Sequence, residues 1–294
     1  MGVSNSLLES SIPMLAFMLM MLGFFFGTPL IRVLRKTYGA RVFWISGLVL
    51  TLLFMFAFPP LFILVVPIWM TLGIYMELES RGARWTTSAA VAILSGVAVI
   101  FATTAFGILA SDVHSLAEAK TLLLTQFSEG MKNQPPEIQA EMLSWFQIVP
   151  ALIVVTLVIS LASGLMFEKR AYAWLKAPRE KVASQLKLLE FRLPDFIIWP
   201  MMLGFLLVAK NFGSEALGIF GKNLAIIGCA LFFFQGLSVV EATLRSFRAG
   251  VMVKVAVYLI LVTQALPLVV IGVIDYWVDF RKRLRNLRSA PKKN

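Results

Sequence analysis

The sequence predicts an all-α fold, a polytopic transmembrane helical bundle of about eight hydrophobic helices (seven to nine) with additional interfacial amphipathic helices. Of its 294 residues, 59% are hydrophobic and only 15% are charged, whereas soluble domains carry about 25% charged residues. The mean hydropathy is +0.83. Apolar runs of roughly twenty residues, the length that spans about 30 Å of hydrocarbon, recur along most of the chain. A soluble domain of this length could not bury them all, so the bilayer is the solvent.

Eight runs account for the predicted helices. They cover residues 12–30, 42–58, 60–77, 85–110, 146–167, 194–210, 217–240 and 251–279. Pro59 and Pro60 separate the second run from the third, and neither proline can donate a backbone hydrogen bond. This pair predicts a tight turn, so the two runs are expected to form a helical hairpin.

Two stretches between the runs are predicted to lie outside the bilayer core. Residues 111–145 combine five acidic with two basic side chains, and apolar residues at helical spacing predict an exterior amphipathic loop. Residues 168–192 contain seven cations together with Tyr172 and Trp174. That mixture is typical of a helix lying on an anionic cytoplasmic leaflet. A plain solvated linker is the alternative for this basic segment.

The net charge of +11 indicates the orientation of the chain, because its cations flank apolar runs. Placing residues 31–41, 78–84, 168–192 and 241–250 in the cytoplasm puts 15 cations there. The tail, residues 280–294, holds seven more and is predicted to be cytoplasmic as well. Strict alternation of eight spans would export this tail. Either the run 251–279 therefore turns back near Gln264 and Pro267, or an earlier run such as 217–240 does not cross fully.

Three polar side chains at predicted membrane depth are candidate substrate-binding residues, namely Gln235, Gln264 and Asp275. A polar group is costly there, so each is a functional hypothesis. Gln235 precedes Gly236, and we favour a hydrogen bond between helices over a ligand contact. Gln264 cannot reach the headgroups and is predicted to bond internally.

Two aspartates four residues apart mark the end of the last run. Asp275 and Asp279 share one helix face, where two carboxylates could bind a cation or relay protons. The alternative that we favour is a helix end fixed at the interface, with structural roles for Asp279, Arg281, Arg283 and Trp277. Asp279 is then expected to meet Arg283 at the next turn. Asp275, the deeper of the two, is the better functional candidate.

Other acidic residues are predicted to form ion pairs at helix ends. Glu241 can pair with Arg245 at the i+4 position. Glu77 and Glu79 end the third run beside Arg81 and Arg84, which predicts an interfacial charge cluster.

The residue inventory disfavours the chemistry of soluble enzymes. With one cysteine, Cys229, and one histidine, His114, the chain can form neither an internal disulfide nor a Cys/His zinc cluster. A Gly-rich phosphate loop is missing, and His114 falls in the predicted exterior loop. We therefore predict no catalytic residue, no metal site, no cofactor and no enzymatic activity. Base-stacking aromatics do not alternate with the basic residues, so no nucleic-acid partner is predicted.

The carboxy-terminal third resembles the YybS-like family of bacterial multi-pass membrane proteins, a domain of unknown function. The resemblance rests on Leu193, Pro194 and Asp195 with Trp199 and Pro200, on Phe234, Gln235 and Gly236, and on the stretch 272–283. That family is distantly similar to the S components of energy-coupling-factor transporters, which capture substrates and have no catalytic activity of their own. The resemblance implies a small helical membrane protein of the bacterial inner (cytoplasmic) membrane and supplies no binding residues.

These observations predict an inner-membrane protein that binds or transports a small molecule, in the manner of a transporter substrate-capture component. The alternative is a non-transporting scaffold or assembly protein whose basic surface recruits a soluble partner or anionic lipid. The expected partners are membrane lipids including anionic headgroups, a small-molecule ligand, and a membrane or cytoplasmic protein.

Overall fold

The computed structural model describes residues 3–57, 59–109, 118, 125, 144–176, 191–210, 213–280 and 282–283. All regular structure in these residues is helical, as predicted. The helices are α1 (Val3–Ala57), α2 (Pro59–Ser80), α3 (Trp85–Leu109), α4 (Val149–Trp174), a 3₁₀ helix (Asp195–Ile197), α5 (Ile198–Lys210), α6 (Glu215–Ser246), α7 (Val251–Thr263) and α8 (Ala265–Val278).

Several described helices are long and apolar enough to cross a membrane. Four stretches qualify, namely Gly27–Phe56, Trp85–Phe106, Val149–Trp174 and Glu215–Ser246, and the bent pair of α7 and α8 would make a fifth. Helix α5 has 13 residues, or about 20 Å, which is shorter than the hydrocarbon core. The described residues thus support four or five spans, and the count of about eight stays a prediction.

The chain divides into two compact units. The described residues within 1–112 and 156–185 form the first unit, which holds α1, α2, α3 and most of α4. Those within 113–155 and 186–294 form the second unit, which holds the beginning of α4 and the helices from α5 to α8. Each unit contains its own cluster of buried polar side chains.

A glycine breaks α1 in the first unit. Gly39 has a φ of +86°, a backbone conformation that glycine adopts without steric cost. The rest of α1 then packs against α2, with the ring of Phe43 stacked on that of Trp69 at 4.8 Å between centroids. The predicted hairpin of the second and third runs is confirmed. Residues 31–41, which separate the first two predicted runs, are helical on both sides of Gly39.

Small residues bring α2 and α3 together. The turn between them uses Gly82 at a φ of +76°, and the backbone N–H of Ala83 closes the end of α2 by donating to the carbonyl of Leu78. Along α3, a Cβ built on Gly96 would overlap the hydroxyl oxygen of Thr71. Helix α3 therefore approaches α2 at a distance that only glycine allows at this position.

Glycines also set the two helix crossings of the second unit. Gly204 of α5 faces Gly221 of α6, and a Cβ on Gly204 would lie 2.9 Å from the Gly221 carbonyl oxygen. Gly236 of α6 faces Gly272 of α8 even more closely, since a Cβ on either one would overlap the backbone carbonyl oxygen of the opposite helix. These contacts fix α5 and α8 against α6. Helices α6 and α8 carry the predicted residues Gln235 and Asp275.

The last apolar run is bent at Gln264. This residue has φ and ψ of −118° and 72° and separates α7 from α8, whose described parts meet at 100°. A bend at this position is compatible with the predicted turn near Gln264, and the choice between the two solutions to the orientation conflict stays a prediction.

Parts of the predicted organisation fall outside the described residues. The exterior loop at 111–145 is described only at residues 118, 125, 144 and 145, the basic segment 168–192 lacks 177–190, and the tail is described at 280, 282 and 283. Residues 168–174 continue α4, and Tyr172 there packs with Val33 and Ala171 in a buried apolar cluster.

Candidate functional site

The most deeply buried charge among the described residues is Arg32 of α1, whose side chain is 0% exposed. Its Nη2 donates to Glu79 Oε2 of α2 at 2.9 Å and to Glu168 Oε2 of α4 at 3.0 Å. Its Nε also donates to Glu168 Oε2, at 3.3 Å. One guanidinium therefore joins two carboxylates from two different helices within the first unit.

A second cation completes this group, which we call the Arg32 cluster and define as Arg32, Lys36, Glu79 and Glu168. The ammonium of Lys36 forms an ion pair with Glu168 Oε1. Two cations face two carboxylates, and all four side chains are at least largely buried. Removing each ion from water costs several kcal/mol, and attraction between opposite charges offsets that cost. The balance of two cations and two carboxylates therefore allows these charges to be buried together.

Local sequence explains how the Arg32 cluster is assembled. Arg32 and Lys36 are four residues apart and share one face of α1. Gly164 of α4 leaves room for the arginine, since a Cβ there would lie 3.1 Å from Arg32 Cδ. One turn away, the hydroxyl groups of Thr28 and Ser163 form a hydrogen bond of 3.1 Å. The small residues of α4 therefore let a long charged side chain cross the helix interface.

The Arg32 cluster faces a row of polar side chains on α2, the α2 polar face, which we define as Thr71, Tyr75 and Glu79. These residues are spaced by four and lie on one side of the helix. Thr71 and Tyr75 are buried. The guanidinium of Arg32 lies over the ring of Tyr75, 5.4 Å from its centroid.

Four buried polar atoms at this place have no hydrogen-bond partner among the described residues. They are Arg32 Nη1, Thr71 Oγ1, Tyr75 Oη and Glu79 Oε1. A buried donor or acceptor left unpaired costs about 1–3 kcal/mol. Such atoms are rare in folded proteins and mark a place where a bound water or ligand can supply the missing bonds.

A more exposed ion pair lies beside the cluster. Arg35 donates to the carbonyl of Gly73 at 2.8 Å and to Glu77 at 2.5 Å, and Arg81 donates to the same carboxylate at 3.1 Å. Glu77 and Arg81 thus form part of the predicted charge cluster. For Glu79 the expected interfacial pairing was wrong, because this residue turns inward to Arg32 instead.

Sequence reasoning missed the Arg32 cluster. It placed Arg32 and Lys36 in a cytoplasmic segment, residues 31–41, and gave Glu168 no role. The signal was present: a cation pair at i and i+4 immediately follows the first apolar run, and Glu168 ends another run. Nothing in the order of residues says that segments 136 positions apart meet.

The second unit brings two of the three predicted substrate-binding residues together. Gln235 and Asp275 are each 2% exposed. The Nε2 of Gln235 donates to Asp275 Oδ2 and to the carbonyl of Gly272, both at 3.2 Å, and its Oε1 accepts the backbone N–H of Leu193 at 3.2 Å. Both amide hydrogens of Gln235 are thereby used, so the prediction of a hydrogen bond between helices is confirmed.

Asp275 and Asp279 have different surroundings at the end of α8. Asp275 Oδ1 accepts the backbone N–H of Phe280 at 2.9 Å. Asp279 ends the helix at a φ of +46° and binds Arg192 at 3.2 Å. The expected side-chain pair with Arg283 was wrong, because the left-handed residue turns the chain away from the helix face; Arg283 donates its backbone N–H to the Asp279 carbonyl instead.

The remaining predicted residues lie apart from this pair. Gln264 is exposed at the bend between α7 and α8. Trp277 is exposed and packs edge to face on Tyr276, whereas Arg281 lies outside the described residues. Gln264 does not join Gln235 and Asp275, and its substrate-binding role stays a prediction.

A third polar group connects α6 with α7. Arg245 Nε donates to Glu241 Oε1 at 2.7 Å, as predicted from their spacing. The hydroxyl of Tyr258 donates to the other oxygen of Glu241, and the Lys254 ammonium lies 3.8 Å from Glu241 Oε1. One carboxylate therefore anchors α7, whose apolar residues are otherwise mostly exposed.

The two buried clusters have different chemical capacities. In the second unit the polar atoms of Gln235 form hydrogen bonds with Leu193, Gly272 and Asp275. This side chain therefore links α6 both to α8 and to the segment that precedes the 3₁₀ helix. In the first unit, donors and acceptors remain available beside a balanced set of charges. The first unit is therefore the better candidate for binding a small polar molecule.

Comparison with known proteins identifies a family. A family model described as predicted membrane protein (DUF2232) matches residues 6–276, which is nearly the whole chain. Curated proteins and solved structures give no match.

Proposed function

This protein belongs to the DUF2232 family of membrane proteins, and from that premise we propose that it captures or permeates a small molecule, like the substrate-capture component of a transporter. The observation that supports this proposal is the Arg32 cluster with its unpartnered neighbours. Ionisable side chains buried in a membrane protein are expensive and tend to line substrate or ion pathways. The bound molecule would contact the first unit.

The energetic cost of burying the Arg32 cluster favours a functional role for it over a purely structural one. Buried ion pairs contribute little net stability, and apolar residues of similar volume often do as well or better. Four unpartnered polar atoms add a further cost. A bound polar molecule would offset both costs by pairing these atoms.

Orientation in the bacterial inner membrane is part of the proposal. The ion pairs of Arg32 with Glu79 and Glu168 support one common side for residues 31–41, 78–84 and the beginning of 168–192. Within the second unit, the pair of Arg192 with Asp279 supports one common side for these two residues. We propose that each of these two groups of residues faces the cytoplasm, because most of the cations lie beside them. We also propose that the protein binds its ligand without catalysing a reaction.

A native mass spectrum of the full-length protein, gently extracted from its membrane, tests the proposed function. Binding predicts a small molecule of defined mass retained on the wild-type chain and released on activation. A spectrum that shows only a protein or lipid partner would contradict the proposal and favour the scaffold alternative. The exposed variant Tyr38→Phe serves as a control for preparation effects, because Tyr38 is exposed and outside the cluster.

A further inference from the structure

We propose that the first unit binds an uncharged, small polar solute, through Arg32 Nη1, the hydroxyl groups of Thr71 and Tyr75, and Glu79 Oε1. This inference rests on the proposed function and names the class of molecule that the site would take. Three features of the site support this class: the hydrogen-bonding character of its unpartnered atoms, their arrangement, and the charge balance around them.

The unpartnered atoms offer both kinds of hydrogen bond. The guanidinium nitrogen of Arg32 can only donate, and the free oxygen of Glu79 can only accept. The hydroxyls of Thr71 and Tyr75 can do either. A molecule that satisfies all four must therefore carry at least one acceptor and one donor, as amides, ureas and polyols do.

The atoms belong to neighbouring residues of α1 and α2. Thr71, Tyr75 and Glu79 occupy successive turns on one face of α2, about 6 Å apart along the helix axis. Arg32 lies over the ring of the middle residue and binds the last one. Arg32 therefore contacts two of the three residues of the α2 polar face, and Thr71 lies on the adjacent turn.

Charge balance excludes an ion as the preferred occupant. Arg32 and Lys36 are matched by Glu79 and Glu168 in direct ion pairs. An anion or a cation would add an unmatched charge to a buried, balanced group, and a buried unpaired charge is strongly unfavourable. A neutral molecule gains the open hydrogen bonds without that cost.

Three molecules of one shape and different charge test this proposal. Acetamide is neutral, acetate is its anionic isostere and acetamidinium its cationic isostere. Each is titrated into the full-length protein in mild detergent at matched ionic strength, and the thermal midpoint of unfolding is followed. Binding to the folded state raises the midpoint as the concentration exceeds the dissociation constant. Acetamide is expected to give the largest saturable increase.

Two conservative variants locate the site. Thr71→Val and Tyr75→Phe each remove one hydroxyl and keep the shape of the side chain. Each is expected to weaken acetamide binding about three- to tenfold, the factor for one neutral hydrogen bond. Without acetamide their midpoints should equal or exceed that of the wild type, because each variant removes an unpartnered polar group. Tyr38→Phe, in an exposed position, should leave the affinity unchanged.

Several outcomes would overturn the inference. They are a larger increase with acetate or acetamidinium, no saturable increase with acetamide, unchanged affinity in both hydroxyl variants, or a lower midpoint of both variants without acetamide. A charged molecule found in the native mass spectrum would refute the neutral class and leave the proposed function standing. A spectrum without any small molecule would refute the proposed function itself.

Discussion

Neutralising Glu168 should destabilise the first unit far more than neutralising an exposed glutamate. Glu168→Gln keeps the shape of the side chain but leaves Arg32 and Lys36 opposite Glu79 alone. At an effective dielectric constant of about 20, unit charges roughly 3 Å apart attract by about 5 kcal/mol, and glutamine retains a hydrogen bond of about 1 kcal/mol. We therefore expect a loss of about 3–5 kcal/mol in the free energy of unfolding, as is typical when one partner of a buried pair is removed.

A second substitution tests whether charge balance is the cause. Lys36→Met in the Glu168→Gln background leaves one cation, Arg32, and one carboxylate, Glu79. The double variant should therefore be more stable than the single variant, although it has lost more interactions. Glu215→Gln is the control, because this exposed glutamate in the first turn of α6 is worth about 0.3–1 kcal/mol through the helix dipole.

The assay is unfolding of the purified full-length protein by SDS in mixed micelles, with helical circular dichroism as the readout. Two results would refute the reasoning. One is a loss below about 1 kcal/mol for Glu168→Gln, the value of an exposed pair. The other is a double variant no more stable than the single one, which would show that the net charge of the cluster does not matter.

Two further predictions concern the second unit and use the same unfolding assay. Gly236→Ala should cost about 1–3 kcal/mol or more, because its Cβ would overlap a backbone carbonyl of α8. The control Gly218→Ala has open space around it and should be neutral or stabilising by up to about 1 kcal/mol. Equal effects of the two substitutions would contradict the tight crossing of α6 and α8. Asp275→Asn should cost about 1–3 kcal/mol, because one amide cannot accept the hydrogen bonds from both Gln235 and Phe280. Asp279→Asn should cost less than about 1 kcal/mol, because its ion pair is partly exposed. The reverse order would contradict this assignment.

The helical class of the fold follows from the sequence, and the breaks in its helices do not. Twenty-residue apolar runs require backbone hydrogen bonds within each segment, so helices were predictable. The position of the break in α1 was not, because any of several glycines could adopt the φ of +86° found at Gly39. The bend at Gln264 was suggested only indirectly, because strict alternation of eight spans would export the basic tail that is predicted to be cytoplasmic.

The candidate sites were predictable to different degrees. Gln235 and Asp275 stood out individually because a polar group within an apolar run is costly, and Gly236 hinted at a close helix contact. Their mutual hydrogen bond depends on the register of α6 against α8, which tertiary packing sets. The Arg32 cluster was hidden for the opposite reason. Its charges stand at the ends of apolar runs, where a charged residue usually faces water and needs no partner.

Ligand binding by the first unit is tested by asking which unit a co-purifying small molecule depends on. Native mass spectra of Tyr75→Phe, in the first unit, and of Asp275→Asn, in the second, are compared with the wild type at equal protein concentration. Tyr75→Phe is expected to lose most of the bound molecule, while Asp275→Asn is expected to keep it. Retention by Tyr75→Phe together with loss from Asp275→Asn would refute a site in the first unit and favour the pair Gln235 and Asp275.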